Sequence, residues 1–298
     1  MPAILANGIM IEYEEFGSPH GTPLLLISGY TGQMTSWSEE FIAPLADAGY
    51  RVIRFDNRDI GLSHQFDDKG IPDIRQIAAG LKDGTAAERA PYVLNDMADD
   101  AAALLVELNA APALVMGVSM GGMITQLIAL RHPDKVKAII PTMTTSGKPG
   151  LPTATEEAQA ALLDKPAVVS RDAIVESAIK SNRVFGSRPP LAASDDELAG
   201  KAKAAFDRAY RPAGIARQYA AIVAQPRWHD ELASLNVPTL VLHGEVDTLI
   251  PPACGKDVAD RIPGAEIVVV ANWGHDMPSA AIPVLHSHIM PFLERHKS

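Results

Sequence analysis

The segment Gly117-Val118-Ser119-Met120-Gly121 follows the apolar run Ala113 to Met116 and leads into an amphipathic stretch, Met123 to Leu130. A serine is thereby lifted onto a sharp turn between a strand and a helix. Such a turn strains the serine backbone and presses it against neighbouring elements, so the positions two before and two after must be small, as Gly117 and Gly121 are. The chain is therefore built on a strand with a helix folded back over it.

The same alternation recurs on both sides of this turn. After an early hairpin candidate, Ile9 to Phe16, strands are expected near Leu24 to Ser28, Arg51 to Phe55, Ala113 to Met116, Lys137 to Thr142, Thr239 to Leu242 and Glu266 to Val270. Helical segments such as Trp37 to Ala48 and Tyr92 to Leu108 separate them. This pattern predicts an α/β fold, a mostly parallel central sheet with helices on both faces. The run Thr153 to Gln225 breaks the pattern, offering only helices, near Thr155 to Leu163, Arg171 to Val184, Asp195 to Tyr210 and Ile215 to Ala224. Lys148-Pro149-Gly150-Leu151-Pro152 marks its start and Pro226-Arg227-Trp228 its end. The expected organisation is a core over 1–143, a helical cap over 144–228 and the rest of the core over 229–298, which suits one domain of 298 residues carrying an insertion.

A serine hydroxyl is a poor nucleophile at neutral pH unless a base and an orienting acid stand beside it. Both occur later in the chain. Asp247 lies just past the strand Thr239 to Leu242, with Glu245 as a rival acid two residues earlier; His275 lies just past Glu266 to Val270. Loops beyond the carboxyl ends of parallel strands are where such sheets gather functional groups. His243 also follows a strand but precedes the acid, which favours His275 as the base. In such an arrangement Ser119 would attack an acyl carbonyl, His275 would take its proton and pass it to the leaving group, and Asp247 would hold the imidazole tautomer. The backbone N–H of Met120, at the helix N-terminus, points to where an oxyanion would form, and a second donor is needed from the loop Ser28-Gly29-Tyr30-Thr31-Gly32.

With these residues in view the chain resembles the α/β-hydrolase superfamily from about Gly8 to the C-terminus, its middle, roughly Thr144 to Trp228, excepted. Within it the chain is most similar to the aclacinomycin methylesterase and non-haem haloperoxidase branch, through Asp56-Asn57-Arg58-Asp59-Ile60-Gly61-Leu62-Ser63, Gly117-Val118-Ser119-Met120-Gly121-Gly122 and Gly244-Glu245-Val246-Asp247-Thr248-Leu249-Ile250-Pro251. It departs from that pattern twice: the usual His-Gly after the first core strand reads Ser28-Gly29, and the usual Arg-Gly-x-Gly reads Arg58-Asp59-Ile60-Gly61. The resemblance implies Asp247 as the acid, the backbone of Tyr30 as the second oxyanion donor, and a structural role for Arg58, bracing the oxyanion loop.

The net charge of −10 provides no basic surface, so nucleic acid and anionic membranes are not expected partners. Cys254 is the only cysteine, which rules out an internal disulfide. The start of the chain, Met1 to Asn7, has neither the basic region nor the apolar run of a signal peptide, and no stretch reaches the length of a spanning helix. A cytoplasmic protein, monomer or homodimer, is expected. His286 and His288 are two apart and do not share a helix face, which argues against a metal pair. Met34, Met116, Met123, Met143 and Met277 are ordinary core fillers with the capacity to line an apolar pocket. Phe185, Phe206, Tyr210 and Trp228 are expected to form the interior of the cap rather than the pocket wall. Replacing Thr153 to Gln225 is expected to alter substrate preference far more than triad geometry.

The expected activity is that of a serine carboxylic ester hydrolase working through an acyl-serine intermediate, with no metal or organic cofactor. The resemblance implies a methyl or other small alkyl ester of a hydrophobic acid, polycyclic acids included. Two alternatives stand beside it: perhydrolase activity at the same triad, with peroxide replacing water, and a non-catalytic ligand-binding protein of this fold. Dehalogenase and epoxide hydrolase chemistry are disfavoured because they need a carboxylate where Ser119 stands.

Overall fold

The computed structural model describes residues 2–164, 166 and 168–297; Met1, Lys165, Ala167 and Ser298, which fall inside the three expected segments, lie outside the described residues. The strands are β1 (Ala3–Ala6), β2 (Ile9–Phe16), β3 (Thr22–Ile27), β4 (Tyr50–Phe55), β5 (Ala113–Val118), β6 (Val136–Thr142), β7 (Leu240–Gly244) and β8 (Glu266–Val270). They form one 8-stranded sheet in the order β1-β2-β4-β3-β5-β6-β7-β8. β1 and β2 pair antiparallel, as do β2 and β4, and every later pairing is parallel.

The expected hairpin within Ile9 to Phe16 is corrected here. That stretch is a single strand whose partner is Ala3–Ala6, joined through Asn7-Gly8, both at positive φ (50° and 77°). Asn-Gly is the pair that tolerates the two left-handed residues of a type I′ turn.

Helices α1 (Glu39–Asp47), α2 (Ile74–Gly80), α3 (Ala86–Arg89), α4 (Leu94–Glu107), α5 (Met120–Arg131), α6 (Glu156–Leu163), α7 (Arg171–Phe185), α8 (Asp195–Arg208), α9 (Pro212–Ala224), α10 (Pro252–Arg261) and α11 (Ile282–Arg295) complete the chain. Several begin where a side chain satisfies an orphan amide: Ser38, Thr155, Ser170 and Ser194 accept from Phe41, Ala158, Ala173 and Glu197 respectively.

Strand alternation divides the core into two layers. Leu25, Ile27 and Val115 face α4 and α5, while Leu24, Leu26, Leu114 and Met116 face α1 and α11. The segment expected to be amphipathic is instead buried all round. Every residue of α5 from Met120 to Ala129 is shielded from solvent, because the helix lies between the sheet and neighbouring helices. Helices α6–α9 are inserted between β6 and β7, and α9 also packs its Ala220 and Ala224 against Ile77 and Ala86 of α2 and α3.

Candidate active site

Ser119 sits between β5 and α5 at φ 55°, ψ −120°, a conformation that costs a non-glycine residue about 1–3 kcal/mol and persists only where its surroundings enforce it. The enforcement is close packing. A Cβ on Gly117 would lie 2.1 Å from the Gly121 carbonyl oxygen, and one on Gly121 would lie 2.2 Å from that of Ile27. The serine amide donates to Thr142 O (2.9 Å), tying the turn to β6.

His275 Nε2 lies 2.9 Å from Ser119 Oγ, and its Nδ1 lies 2.7 Å from Asp247 Oδ2. These residues are 156 and 28 positions from His275 in the chain, yet their loops meet at one edge of the sheet. Asp247 is buried, and its other oxygen accepts the amides of Leu249 (2.9 Å) and Ile250 (2.8 Å). The carboxylate is thus held on both oxygens. Glu245, the rival acid, is exposed and accepts from the Asn272 amide instead.

His243 is fully buried beneath this acid, its Nε2 3.6 Å from Asp247 Oδ2 and 2.8 Å from the Ile250 carbonyl oxygen, to which it donates. Burial holds its imidazole below the usual histidine range. A neutral ring there steadies the Asp247–Ile250 turn and takes no proton from the serine.

The loop after β3 wraps over the serine. A Cβ on Gly29 would fall 3.2 Å from Ser119 Cβ, so backbone and nucleophile are in contact there. The Tyr30 and Met120 amides find no acceptor among the described residues, and both residues line the cavity in front of Ser119. Ser28, in place of the family's histidine, is buried and donates to Gln33 O (3.2 Å).

The bracing expected of Arg58 falls to its neighbours. Arg58 turns away to a bidentate pair with Asp100 in α4 (2.6 and 2.7 Å), between the rings of Phe66 and Tyr92. Asn57 Nδ2 donates to Ser28 O (3.0 Å), and Asp56 Oδ1 accepts the Met34 amide (2.8 Å). Asp59, where the family pattern has glycine, adopts φ 68° and sends its carboxylate to Arg217 of α9.

The cavity measures about 920 Å³ and is enclosed by the loop after β3, the strand ends and the inserted helices. Its wall is largely apolar: Met123, Met143, Leu162, Leu198, Ile222 and Met277 contribute. Met34 and Met116 belong to the core instead. Phe185 reaches the cavity, edge-on to the His275 ring at 6.2 Å. Phe206 and Tyr210 pack with tilted rings, centroids 5.3 Å apart, and Trp228 is buried with Nε1 donating to Gln126 (3.1 Å). Tyr30 and Tyr219 pack with ring centroids 5.9 Å apart, and burial with Tyr219 alongside pushes the Tyr30 hydroxyl up to about 12.

Sequence reasoning missed Asp276 and Ser187. Asp276 accepts from Asn182 Nδ2 (2.7 Å) and from the Ser187 amide (3.0 Å), Ser187 Oγ accepts the Gly274 amide (3.1 Å), and the His275 amide donates to Phe185 O (2.7 Å). The loop carrying His275 is stitched to the end of α7. Among the described residues no group of three or more His, Cys, Asp or Glu side chains is placed to hold a metal ion, and no helix is long and apolar enough to cross a membrane.

Residues 22–278 match the family model for the alpha/beta hydrolase fold, and the chain belongs to that family. It is 29% identical to rhodomycin D methylesterase DauP of Streptomyces sp. (strain C5), over 93% of this chain and 92% of the relative. It is 28% identical to BpoC, a candidate non-heme bromoperoxidase of Mycobacterium tuberculosis (strain ATCC 25618 / H37Rv), over 90% of this chain and 91% of that one. A thermophilic esterase from Thermogutta terrifontis superposes with a TM-score of 0.73 at 23% identity, covering 100% of this chain and 99% of its own, and so shares the fold.

Proposed function

We propose that the protein is a serine carboxylic ester hydrolase, working in the cytoplasm on a methyl or other small alkyl ester of a hydrophobic acid. The observation that carries this reading is the continuous chain of contacts Ser119–His275–Asp247, at 2.9 and 2.7 Å, opening onto a largely apolar cavity. Ser119 Oγ attacks the ester carbonyl carbon while His275 Nε2 takes its proton. The tetrahedral oxyanion is met by the Tyr30 and Met120 amides, each such donor being worth about 3–4 kcal/mol of barrier. Collapse expels the alcohol, which leaves with the proton from His275, and the acyl-Ser119 ester remains. Water, deprotonated by His275, then releases the acid and restores the serine.

A cavity of about 920 Å³ is large for a short acyl group and suits an acid of drug-like size. The small alkoxy group then sits beside His275 and the bulky acid fills the space beneath helices α6–α9, which we read as the cap. Similarity to DauP, a rhodomycin D methylesterase, supports a methyl ester as the bond cleaved.

Fluorophosphonate labelling tests the nucleophile. Wild-type protein is expected to become modified at Ser119 and to hydrolyse methyl esters of bulky aromatic acids, and Ser119→Ala to do neither. Folded wild type that resists labelling and leaves every ester intact overturns the reading in favour of a ligand-binding protein.

Similarity to BpoC favours a second use of the same intermediate, in which hydrogen peroxide attacks acyl-Ser119 and leaves as a peracid. Peracid formation from acetate and peroxide, compared with ester hydrolysis by the same preparation, tests it.

A further inference from the structure

We propose that Gln33 and Arg208 are positioning residues, which hold the oxyanion loop from helix α8 so that the cap governs the rate of turnover as well as the choice of substrate. The inference rests on the ester-hydrolase reading. Its origin is a strained turn. Gly32 N donates to Gly29 O (3.1 Å), closing a turn with Tyr30 and Thr31 at its centre, and Thr31 takes φ 65°. A type II turn demands that sign at its third residue and ordinarily meets it with glycine; a β-branched residue there is strained. Strain of this kind, about 1–3 kcal/mol, endures only where surrounding contacts over-determine the conformation.

Those contacts come from three directions, one of them α9, whose Gln218 Oε1 accepts the Thr31 amide (3.4 Å). The core fixes the base of the loop, through Asn57 on Ser28 O and Ser28 Oγ on Gln33 O. The far side is fixed by α8. Gln33 Nε2 donates to both Ala205 O (2.7 Å), which also accepts the Ala209 amide, and Ala209 O (2.8 Å), just past the last turn of the helix. Gln33 Oε1 accepts from Arg208 Nη1 (2.7 Å), and the same nitrogen lies 2.7 Å from Asp56 Oδ2. Asp56 closes the circuit through its other oxygen, which accepts the Met34 amide at 2.8 Å.

Gln33 borders the cavity, but it is only 6% exposed and both its amide hydrogens are engaged by α8. Substrate recognition is therefore not its task. Its side chain joins the strained loop to the helix. Loss of the link frees Thr31 to relax to negative φ, which re-aims the adjoining peptides, the Tyr30 amide among them. Uniform binding by the cavity wall stays as it was, and stabilisation of the oxyanion is lost.

The test compares wild type with Arg208→Met, Arg208→Lys and Gln33→Met, using a methyl ester of a bulky aromatic acid and a trifluoromethyl ketone whose tetrahedral adduct places its oxygen in the oxyanion hole. Arg208→Met and Gln33→Met are expected to lower kcat by about 10- to 100-fold with KM within about 3-fold, and to weaken the ketone by a matching factor. Arg208→Lys is expected to recover most of the loss. In a Thr31→Gly background, where the strain is absent, Arg208→Met is expected to cost less. Unchanged kcat, or a loss confined to KM, overturns the proposal. Amide exchange over residues 29–34 separates its failure from failure of the hydrolase reading. Faster exchange in folded Arg208→Met supports the brace even in a protein that cleaves no ester, and unchanged exchange overturns it.

Discussion

Arg217 grips Asp59 with two parallel hydrogen bonds, Nε to Oδ2 and Nη2 to Oδ1, both 2.7 Å, and neither side chain reaches solvent. This pair joins the loop after β4 to helix α9 across 158 residues. Removing one partner leaves a buried charge without compensation, which costs about 3–5 kcal/mol. Arg217→Met is therefore expected to lose that much in denaturant unfolding. Asp59→Gly/Arg217→Met should regain most of it, since both charges go and glycine takes the positive φ at ease. A double variant as unstable as the single one would show that the pair is not the source of the loss.

Asp247→Asn keeps the shape of the acid but not its charge. With the Leu249 and Ile250 amides still bound by the side-chain oxygen, the loop should stay in place while the imidazole loses the partner that fixes its tautomer. Steady-state kinetics are expected to show kcat lower by roughly 10⁴-fold with KM little changed.

Leu198 lines the cavity from α8. Leu198→Trp fills part of the space assigned to the acid. KM for methyl esters of bulky aromatic acids should rise by about 10-fold or more, and that for p-nitrophenyl acetate should hardly move. Equal effects on both would place the acid elsewhere.

The burial of His243 sets an acid limit to stability. Its native pKa is depressed below 6.5, so the unfolded chain binds a proton that the native one refuses. Stability is full above about pH 6.5 and falls below it, by up to about 1.4 kcal/mol per pH unit for this one proton. Asp99 and Asp257, whose native values are lowered, begin to withdraw their contribution only below about their usual 3.8. Denaturant titrations at pH 7.5, 6 and 5 should show the loss, and His243→Asn should reduce it, the remainder including the share of His286, which burial also holds low.

Much of this site was legible in the chain because each part carries a local signature. The small residues around Ser119, the apolar strands before Asp247 and His275, and the helical runs of the insertion are all short-range patterns, and the expected helices of the insertion match α6–α9 to within a few residues at most ends. The short edge strand β1 was overlooked although Asn7-Gly8 announces its turn. Helices α2 and α3 were also missed; each is too short to show a period. Arg208 on Asp56, Arg217 on Asp59 and Ser187 with Asp276 left no trace, because pairings between distant polar residues have no periodicity to reveal them. They also bear on the expectation that replacing Thr153 to Gln225 alters substrate preference far more than triad geometry. Exchanging 153–225 removes bonds that hold the loops of Tyr30 and His275, so kcat should fall for every ester.

The distance along the chain between nucleophile and base has a further consequence during synthesis. In a chain emerging from the ribosome, Ser119 is present long before β7 and β8 exist. Until the loop beyond β8 that carries His275 docks, the Ser119 hydroxyl has no imidazole beside it to take its proton. On the ester-hydrolase reading, the onset of cleavage then reports the docking of that loop.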